Sequence, residues 1–416
     1  MKRLELMLGL VAAASLVSLG AAAPPAPEAP TMIFDLDTAV YKAGTCKDAA
    51  GKDVSCGRVE LVEGKFGKAA KFTFTDGRGF MSAKAKPYID WDQSDGFSFW
   101  VKGDGSKSWA GIQLIDGSDG DFKRRYAYCF SIESTKWEKV TVPWRDLVPE
   151  LPEGPLIDAK AGLPPSSLNN YWFGKRWYWG EFPPCSFTVD QIQVERKISM
   201  DRSLHIPATA GTPRTLAKLK TKQPVTIVTM GDSLSDKKHK TNREKLWSEL
   251  LEKSIEEKYG SKVTLVNPAM GGTQMAHSLV LMPRWLKDTP KPDVVTVWFG
   301  AEDYGAGVRA ERFKEMLRFA VDRIRRETKG ASEVVLITPP PTKTLWTEMD
   351  ALAQAARDVA KEKKTGLADV AAEFHKPASA DEAQKSGYWA DDGVTLGSKG
   401  HDVARDCVLD AIENGK

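Results

Sequence analysis

Net charge is almost absent from this sequence. Basic residues exceed acidic ones by a formal +3 over 416 residues, which argues against a broad basic surface for nucleic acid or anionic lipid. Cysteine is sparse as well. The five present form no CxxC pair and no Cys/His spacing of the zinc type, so no metal and no cofactor is expected. No cysteine follows the N-terminal apolar segment, so no lipid anchor is indicated. There is no internal repeat, and no apolar run after residue 23 is long enough for a membrane span.

What is present suits a folded, exported protein. The apolar fraction is 42% and the charged fraction 28%, in the globular range. The length exceeds one ordinary core and predicts two domains. Residues 1–23 read as a signal peptide: Lys2 and Arg3, the short apolar core "LMLGLVAAASLVSLG", then small residues for cleavage after Ala22 or Ala23. The expected location is secreted or periplasmic. Residues 24–30 form a Pro/Ala-rich tail. Export permits disulfides. Cys46 and Cys56 flank the polar loop "CKDAAGKDVSC" and can close it, and Cys129 and Cys185 can also pair. Cys407 is left over in a C-terminal helix.

The two halves differ in texture. Over 31–198, short alternating runs such as "GFSFWVKG", "AGIQLID", "YAYCFSI", "WEKVTVPW" and "FTVDQIQVER" are separated by Gly, Asp, Ser and Pro. They predict an all-β sandwich, jelly-roll-like, without a long helix. Residues 199–224 lose the pattern and read as a linker. Over 225–416, strands alternate with helices: "VTIVTM", "KVTLVN", "DVVTVWFG", "EVVLIT" and "GLADVAAEF" are the strand candidates. This predicts an α/β three-layer domain with a parallel sheet, whose ligands sit at the carboxyl ends of the strands.

Polar turns leave those strand ends. They are Gly231-Asp232-Ser233, "NPAMGGTQ" with Gly271 and Gly272, and Gly300-Ala301-Glu302-Asp303. A fourth, "WADDGVTLGSKGH", precedes the last helix. In their order and strand context these blocks resemble the SGNH (GDSL-type) hydrolases. The resemblance implies Ser233 as nucleophile, Gly272 as an oxyanion donor, and ester hydrolysis on lipids, acyl carriers or acetylated polysaccharides. It also implies an asparagine in the third block and an Asp-x-x-His pair in the fourth.

Two positions depart from that pattern. Glu302 stands where the asparagine is expected, and Thr395 stands where Asp392 should find its histidine. A serine hydroxyl is a poor nucleophile until a neighbour takes its proton, and threonine cannot accept one near neutral pH. General-base help is worth about 10²–10⁴ in rate, and a lost oxyanion donor costs about 3 kcal/mol. Substitute bases in the sequence are His401, His239, His277 and Glu302 itself. His401 in the family pattern is structural, at the start of the last helix.

The first half is rich in aromatics, with Trp91, Trp100, Trp109, Trp137, Trp144, Trp172, Trp177 and Trp179. "DGFSFWVKGDGS" and "WEKVTVPWRDL" resemble the galactose-binding-like sandwiches of carbohydrate-binding modules. In "NNYWFGKRWYWGEF", Trp172, Arg176, Trp177 and Trp179 are candidate sugar contacts, since sugar rings stack on exposed aromatic faces. The alternative is that these rings fill the sandwich core or the domain interface. "DGSDGD" offers Asp116, Asp119 and Asp121 to a calcium ion or forms a solvated loop. Two functions follow: a serine esterase on an acylated carbohydrate, or a non-catalytic glycan-binding protein with a degenerate hydrolase domain. The expected partner in both is a polysaccharide or acylated glycan.

Overall fold

The computed structural model describes residues 32, 40–48, 50–75, 80–84, 91–118, 121–151, 154 and 165–415. The expected signal peptide, tail and cleavage site lie outside the described residues. No described helix is long and apolar enough to cross a membrane.

The first half is an antiparallel sandwich. One sheet runs, edge to edge, through Lys42–Ala43, Phe80–Lys84, Asn170–Gly174, Trp109–Ser118, Asp121–Ser131 and Val148–Pro149. The other runs through Glu138–Pro143, Gly96–Lys102, Cys185–Glu195, Lys68–Phe74 and Gly57–Glu63. Period-2 alternation sends Ala70, Phe72 and Phe74 inward and leaves Lys71 and Thr73 partly exposed. The facing layers meet through aromatic rings. Phe99 of one sheet lies edge-on to Phe130 of the other at 5.0 Å, a favoured geometry that adds about 0.5–1.5 kcal/mol per pair to simple burial. Cys46 and Cys56 are joined by a disulfide, as expected from their loop.

The expected Cys129–Cys185 bond does not form. Both thiols are free and buried, and they belong to different cores. Cys185 faces the interior of the sandwich. Cys129 sits on the opposite face of its sheet, among side chains of the second half. Cys407 is free and half-buried on the last helix.

The second half carries a parallel sheet of five strands: Val225–Gly231, Val263–Val266, Val294–Trp298, Glu333–Ile337 and Gly366–Ala368. In space the order is second, first, third, fourth, fifth. The chain therefore reverses its direction of winding between the first and third strands, where such sheets bind ligands. Both faces are covered, so the strands are mostly apolar, with Thr229, Thr296 and Glu333 as buried polar exceptions. Alternate residues go to opposite sides. Val228, Met230, Val295, Val297, Val334 and Leu336 meet the helices Met275–Asp288, Ala310–Glu327 and Asp350–Lys363. Val225, Ile227, Val294, Trp298, Val335 and Ile337 meet the helices Trp247–Tyr259 and Ser398–Asn414. The last strand candidate, "GLADVAAEF", divides into the strand Gly366–Ala368 and the helix Val370–Phe374, with Asp369 capping the helix through Ala372 N.

The segment 199–224 is more than a linker. It contains the helix Pro213–Lys220, which starts on a proline whose φ suits the first helical position. Thr215 donates from its amide (2.9 Å) and hydroxyl (2.7 Å) to Glu333, and Leu219 is fully buried. With eight residues and only Leu216, Ala217 and Leu219 apolar after its proline, this helix is too short to stand out in the sequence, and its tertiary contacts reveal it.

The six-stranded sheet is buried on both faces. Its outer face, with Ala127, Cys129 and Val148, packs on Met275, Leu279, Val280 and Met282 of the helix Met275–Asp288. Polar bonds border this contact: Arg284 Nη1 donates to Trp179 O (3.1 Å), Lys287 to Ser131 Oγ (3.1 Å), and Arg326 pairs with Asp146. The outer face of this sheet thus shares a core with the α/β domain, while the sandwich keeps a separate core of its own between its two sheets.

Candidate active site

Ser233 stands on a turn at the carboxyl end of the first parallel strand, beside the winding reversal. Main-chain and side-chain bonds fix the turn. Asp232 is buried and accepts from Leu234 N (3.0 Å). Asn242 Nδ2 donates to Ser233 O and to Asp236 O, both at 2.8 Å. Asn267 Nδ2 donates to Ser235 O (2.8 Å), and Trp247 Nε1 to Ser235 Oγ (3.2 Å). Asn242, Asn267 and Asp236 were not legible as site residues in the sequence, because nothing local to them marks a contact across the rim.

The second turn meets the first. Gly272 N donates to Ser233 Oγ at 2.9 Å, and Gly271 N donates to Asp236 Oδ2 at 2.8 Å. Gly272 has φ +72, a left-handed conformation that turns its amide toward the serine and strains any side chain. A serine hydroxyl seated on a glycine amide places an N–H donor next to the carbon that this hydroxyl would attack.

The third turn is acidic. Gly300 precedes the short helix Ala301–Gly305, so Glu302 and Asp303 open that helix. Asp303 is buried and accepts from Met275 N at 3.2 Å. Burial, then the neighbouring Asp232 carboxyl and Glu302, push its pKa far above the usual carboxylate range. Burial also raises Asp232, opposed by its bond from Leu234 N and reinforced by Glu302, to about 7. Glu302 therefore adds a third acid where a neutral amide would offer a donor.

In the fourth turn, Thr395 takes the expected histidine's place. Its Oγ1 donates to Asp392 Oδ2 at 2.7 Å, and its amide donates to Asp392 Oδ1 at 2.8 Å. Burial works against the charge of Asp392, but these bonds and the Val394 amide prevail, with help from His239, and hold the carboxyl below its usual pKa.

His401 does not supply the missing imidazole here. It is buried in the last helix, its ring nitrogens have no hydrogen-bond partner among the described residues, and its charged neighbours are Lys245 and Asp402. Burial, then Lys245, lowers its pKa to about 4. His277 is structural too. Its Nδ1 accepts from Gln274 N at the start of the helix Met275–Asp288, and its ring stacks on Tyr178 at 4.3 Å. Burial lowers it to about 4. His239 lies against Gly271, on the serine's side of the site.

The aromatic segment of the sandwich ends at this rim. Trp172 (4% exposed) and Trp179 (3%) are buried, whereas Trp177 is 54% exposed. Trp172 and Trp179 are therefore chiefly packing residues, of which Trp179 also lines a groove. Arg176 lies over the Trp172 ring at 4.6 Å and its Nε donates to Gln113 Oε1 at 3.2 Å, while its buried Nη2 has no hydrogen-bond partner among the described residues. Tyr178 anchors the segment. Its hydroxyl donates to buried Glu150 (2.5 Å), which also accepts from Gln113 (2.7 Å) and Arg125 (2.6 Å). Bonds of this charge-assisted kind contribute about 1.5–3 kcal/mol each. The anchored turn presents Trp177 beside Gly272: its Cζ3 lies 3.9 Å from where a Cβ on Gly272 would be. From Trp109 and Trp179, a groove of about 470 Å³ runs between the two domains to Asp236 and Met270. Of the acidic loop, Asp116 accepts from Arg124 Nε (2.8 Å); Asp119 and the side chain of Asp121 lie outside the described residues. Among the described residues, no group of His, Cys, Asp and Glu is arranged to hold a metal ion.

Residues 229–403, which carry all four turns, match the GDSL-like Lipase/Acylhydrolase family. The second half is a GDSL-like acylhydrolase domain. Residues 23–159 match the carbohydrate binding domain of family 11, so the sandwich is a carbohydrate-binding domain of that family. A lipase/acylhydrolase from Enterococcus faecalis is 20% identical over 46% of this chain and 96% of its own, with TM-score 0.38. An acetyl xylan esterase from Geobacillus stearothermophilus is 20% identical over 45% and 94%, with TM-score 0.36. A family 11 carbohydrate-binding module from Clostridium thermocellum, solved with a β-1,3-1,4-mixed-linked tetrasaccharide, is 17% identical over 40% and 94%, with TM-score 0.30. A comparison with the curated proteins finds no match. The acylhydrolase domain thus brings its serine turn, and the carbohydrate-binding domain its Trp177, to one rim.

Proposed function

We propose that the protein is an exported serine esterase that removes acyl groups from a carbohydrate, with Ser233 as nucleophile and Gly272 N as an oxyanion donor. The observation that carries this reading is the meeting of three groups. The Ser233 hydroxyl is seated on the Gly272 amide at 2.9 Å, and Trp177 of the carbohydrate-binding domain stands beside that same glycine. A sugar ring stacked on Trp177 would hold its ester at the serine, so binding and positioning fall to one aromatic side chain.

Acetate release from an acetylated polysaccharide by the full chain is the test. Wild type is expected to release acetate, and Ser233→Ala to lose on the order of 10⁴-fold or more in kcat. Equal release by both proteins would remove Ser233 from the reaction. Export is tested by N-terminal sequencing of the mature chain, expected to begin at Ala23 or Pro24. A second reading, a glycan-binding protein without catalysis, is favoured by one observation: Thr395 fills the base position with a hydroxyl that is itself donating to Asp392. In that case wild type and Ser233→Ala bind polysaccharide alike and release nothing.

A further inference from the structure

We propose that His239, on the loop just after the nucleophile, takes the proton of Ser233 in place of the histidine that position 395 lacks. This rests on the esterase reading above.

The first support is position. A carbon placed on Gly271 would stand 3.5 Å from His239 Cδ2, 3.5 Å from Ser233 Oγ and 3.2 Å from Asp236 Oδ2. The imidazole edge and the hydroxyl therefore face one small gap, and no more than twice 3.5 Å separates them. Catalytic hydrogen bonds are often open before substrate binds and tighten in the complex. The loop is held in place. His239 N donates to Asp236 O (3.1 Å), Asn242 N to His239 O (3.0 Å), and the Asn242 amide ties the loop to Ser233 O.

The second support is the tautomer, which the bonding pattern sets. Asn242 Nδ2 is used as a donor to two carbonyls, so its Oδ1 is an acceptor. Thr241 Oγ1 donates to that Oδ1 at 3.2 Å. The contact of 2.8 Å between Thr241 Oγ1 and His239 Nδ1 then has Nδ1–H as donor. Neutral His239 is left with its lone pair on Nε2, the nitrogen bonded to the Cδ2 that faces the serine. Asn242 and Thr241 thus orient the ring, as a carboxylate does in an ordinary triad.

The charged groups around the ring suit a transient imidazolium. Asp236 faces the same gap, and the Asp392 carboxyl lies within electrostatic reach of a protonated His239. Lys237, Lys238 and Lys240 are the cations of the loop; all are exposed, and Lys237 is paired with Glu249. In the reaction, Ser233 Oγ bonds to the ester carbonyl carbon while its proton passes to His239 Nε2. The tetrahedral oxyanion collapses, the C–O bond to the sugar breaks, and the proton goes to the leaving sugar oxygen. Water then attacks the acyl-serine, giving one proton to His239 Nε2. Release of the acid returns that proton to Ser233.

The test is steady-state hydrolysis of 4-nitrophenyl acetate by the full chain across pH 5–9. His239→Ala is expected to lower kcat by about 10²–10⁴, to leave the melting temperature unchanged, and to erase the acidic limb of the pH profile. His239→Ala/Thr395→His is expected to regain activity, because the new imidazole finds Asp392 waiting. Should His239→Ala fail to fold, Thr241→Val carries the test. It keeps the ring but removes its Nδ1–H acceptor, and is expected to lower kcat about tenfold with a shifted pH profile. Wild-type kcat and an intact acidic limb in His239→Ala would overturn the proposal while Ser233-dependent hydrolysis survived. No Ser233-dependent hydrolysis by wild type would overturn both this proposal and the esterase reading.

Discussion

On the nucleophile side of the rim, Asp232, Asn242, Asn267 and the Gly271–Gly272 turn hold Ser233 through bonds made largely to main-chain atoms. In the fourth turn, Thr395 stands where the family pattern expects a histidine, and it donates to Asp392. The contrast shows why a serine turn can persist whether or not catalysis does. Its bonds also build the corner between strand and helix, so removing them costs stability. Position 395 is tied in as well: with threonine there, its amide and hydroxyl both bond Asp392 and keep the fourth turn in shape.

Among changes that restore an expected residue or remove the sugar platform, the largest effect is expected at the acidic third turn. Glu302→Asn replaces a charge that faces Asp232 and Asp303 with an amide donor. It is expected to raise kcat by on the order of 10²–10³ toward any ester the protein cleaves. An unchanged kcat would place position 302 outside the oxyanion site. Next comes the sugar platform. Trp177→Ala is expected to raise KM for an acylated polysaccharide about tenfold and to leave kcat for 4-nitrophenyl acetate unchanged. Equal losses on both substrates would mean that Trp177 supports the rim and does not grip a sugar.

A smaller effect is expected where the base has been lost. With His239 in place, Thr395→His alone should change kcat by no more than about threefold. A gain of a hundredfold would show that the base side is vacant in the wild type. The smallest effect concerns stability. Asp232 titrates near 7 in the fold and near 3.8 when exposed. The unfolded chain releases this proton first as pH rises, so its contribution to stability falls between about pH 4 and 7. Asp232→Asn is thus expected to melt with wild type at pH 4 and several degrees above it at pH 8.

Much of this was legible from residue spacing. Period-2 runs marked the sandwich strands, and apolar runs between helices marked the parallel sheet, because those patterns are imposed by one or two buried faces. Ser233, Gly272 and Glu302 were legible as one rim because a parallel sheet carries its strand ends to the same edge, and Thr395 as a residue of a loop that can join them. Facing was not legible. Both Cys129 and Cys185 lie in strands, but only the tertiary structure shows that one faces the α/β domain and the other the sandwich interior. Trp172 and Trp179 looked like Trp177 in sequence, but Trp172 packs inside the strand Asn170–Gly174, and of the single helical turn Trp177–Trp179 only Trp177 is exposed. The docking of the sandwich, which puts Trp177 beside Gly272, depends on the outer face of a sheet that the sequence could have left to solvent.

The nucleophilic state of Ser233 is the point on which everything above turns. It is measured most directly by treating the full-length protein with a fluorophosphonate at pH 8 and locating the adduct by mass spectrometry. One adduct per chain is expected, on the peptide containing Ser233, formed faster as pH rises through the imidazole range. An unlabelled protein, or an adduct on any other residue, would contradict the assignment of Ser233 as an activated nucleophile.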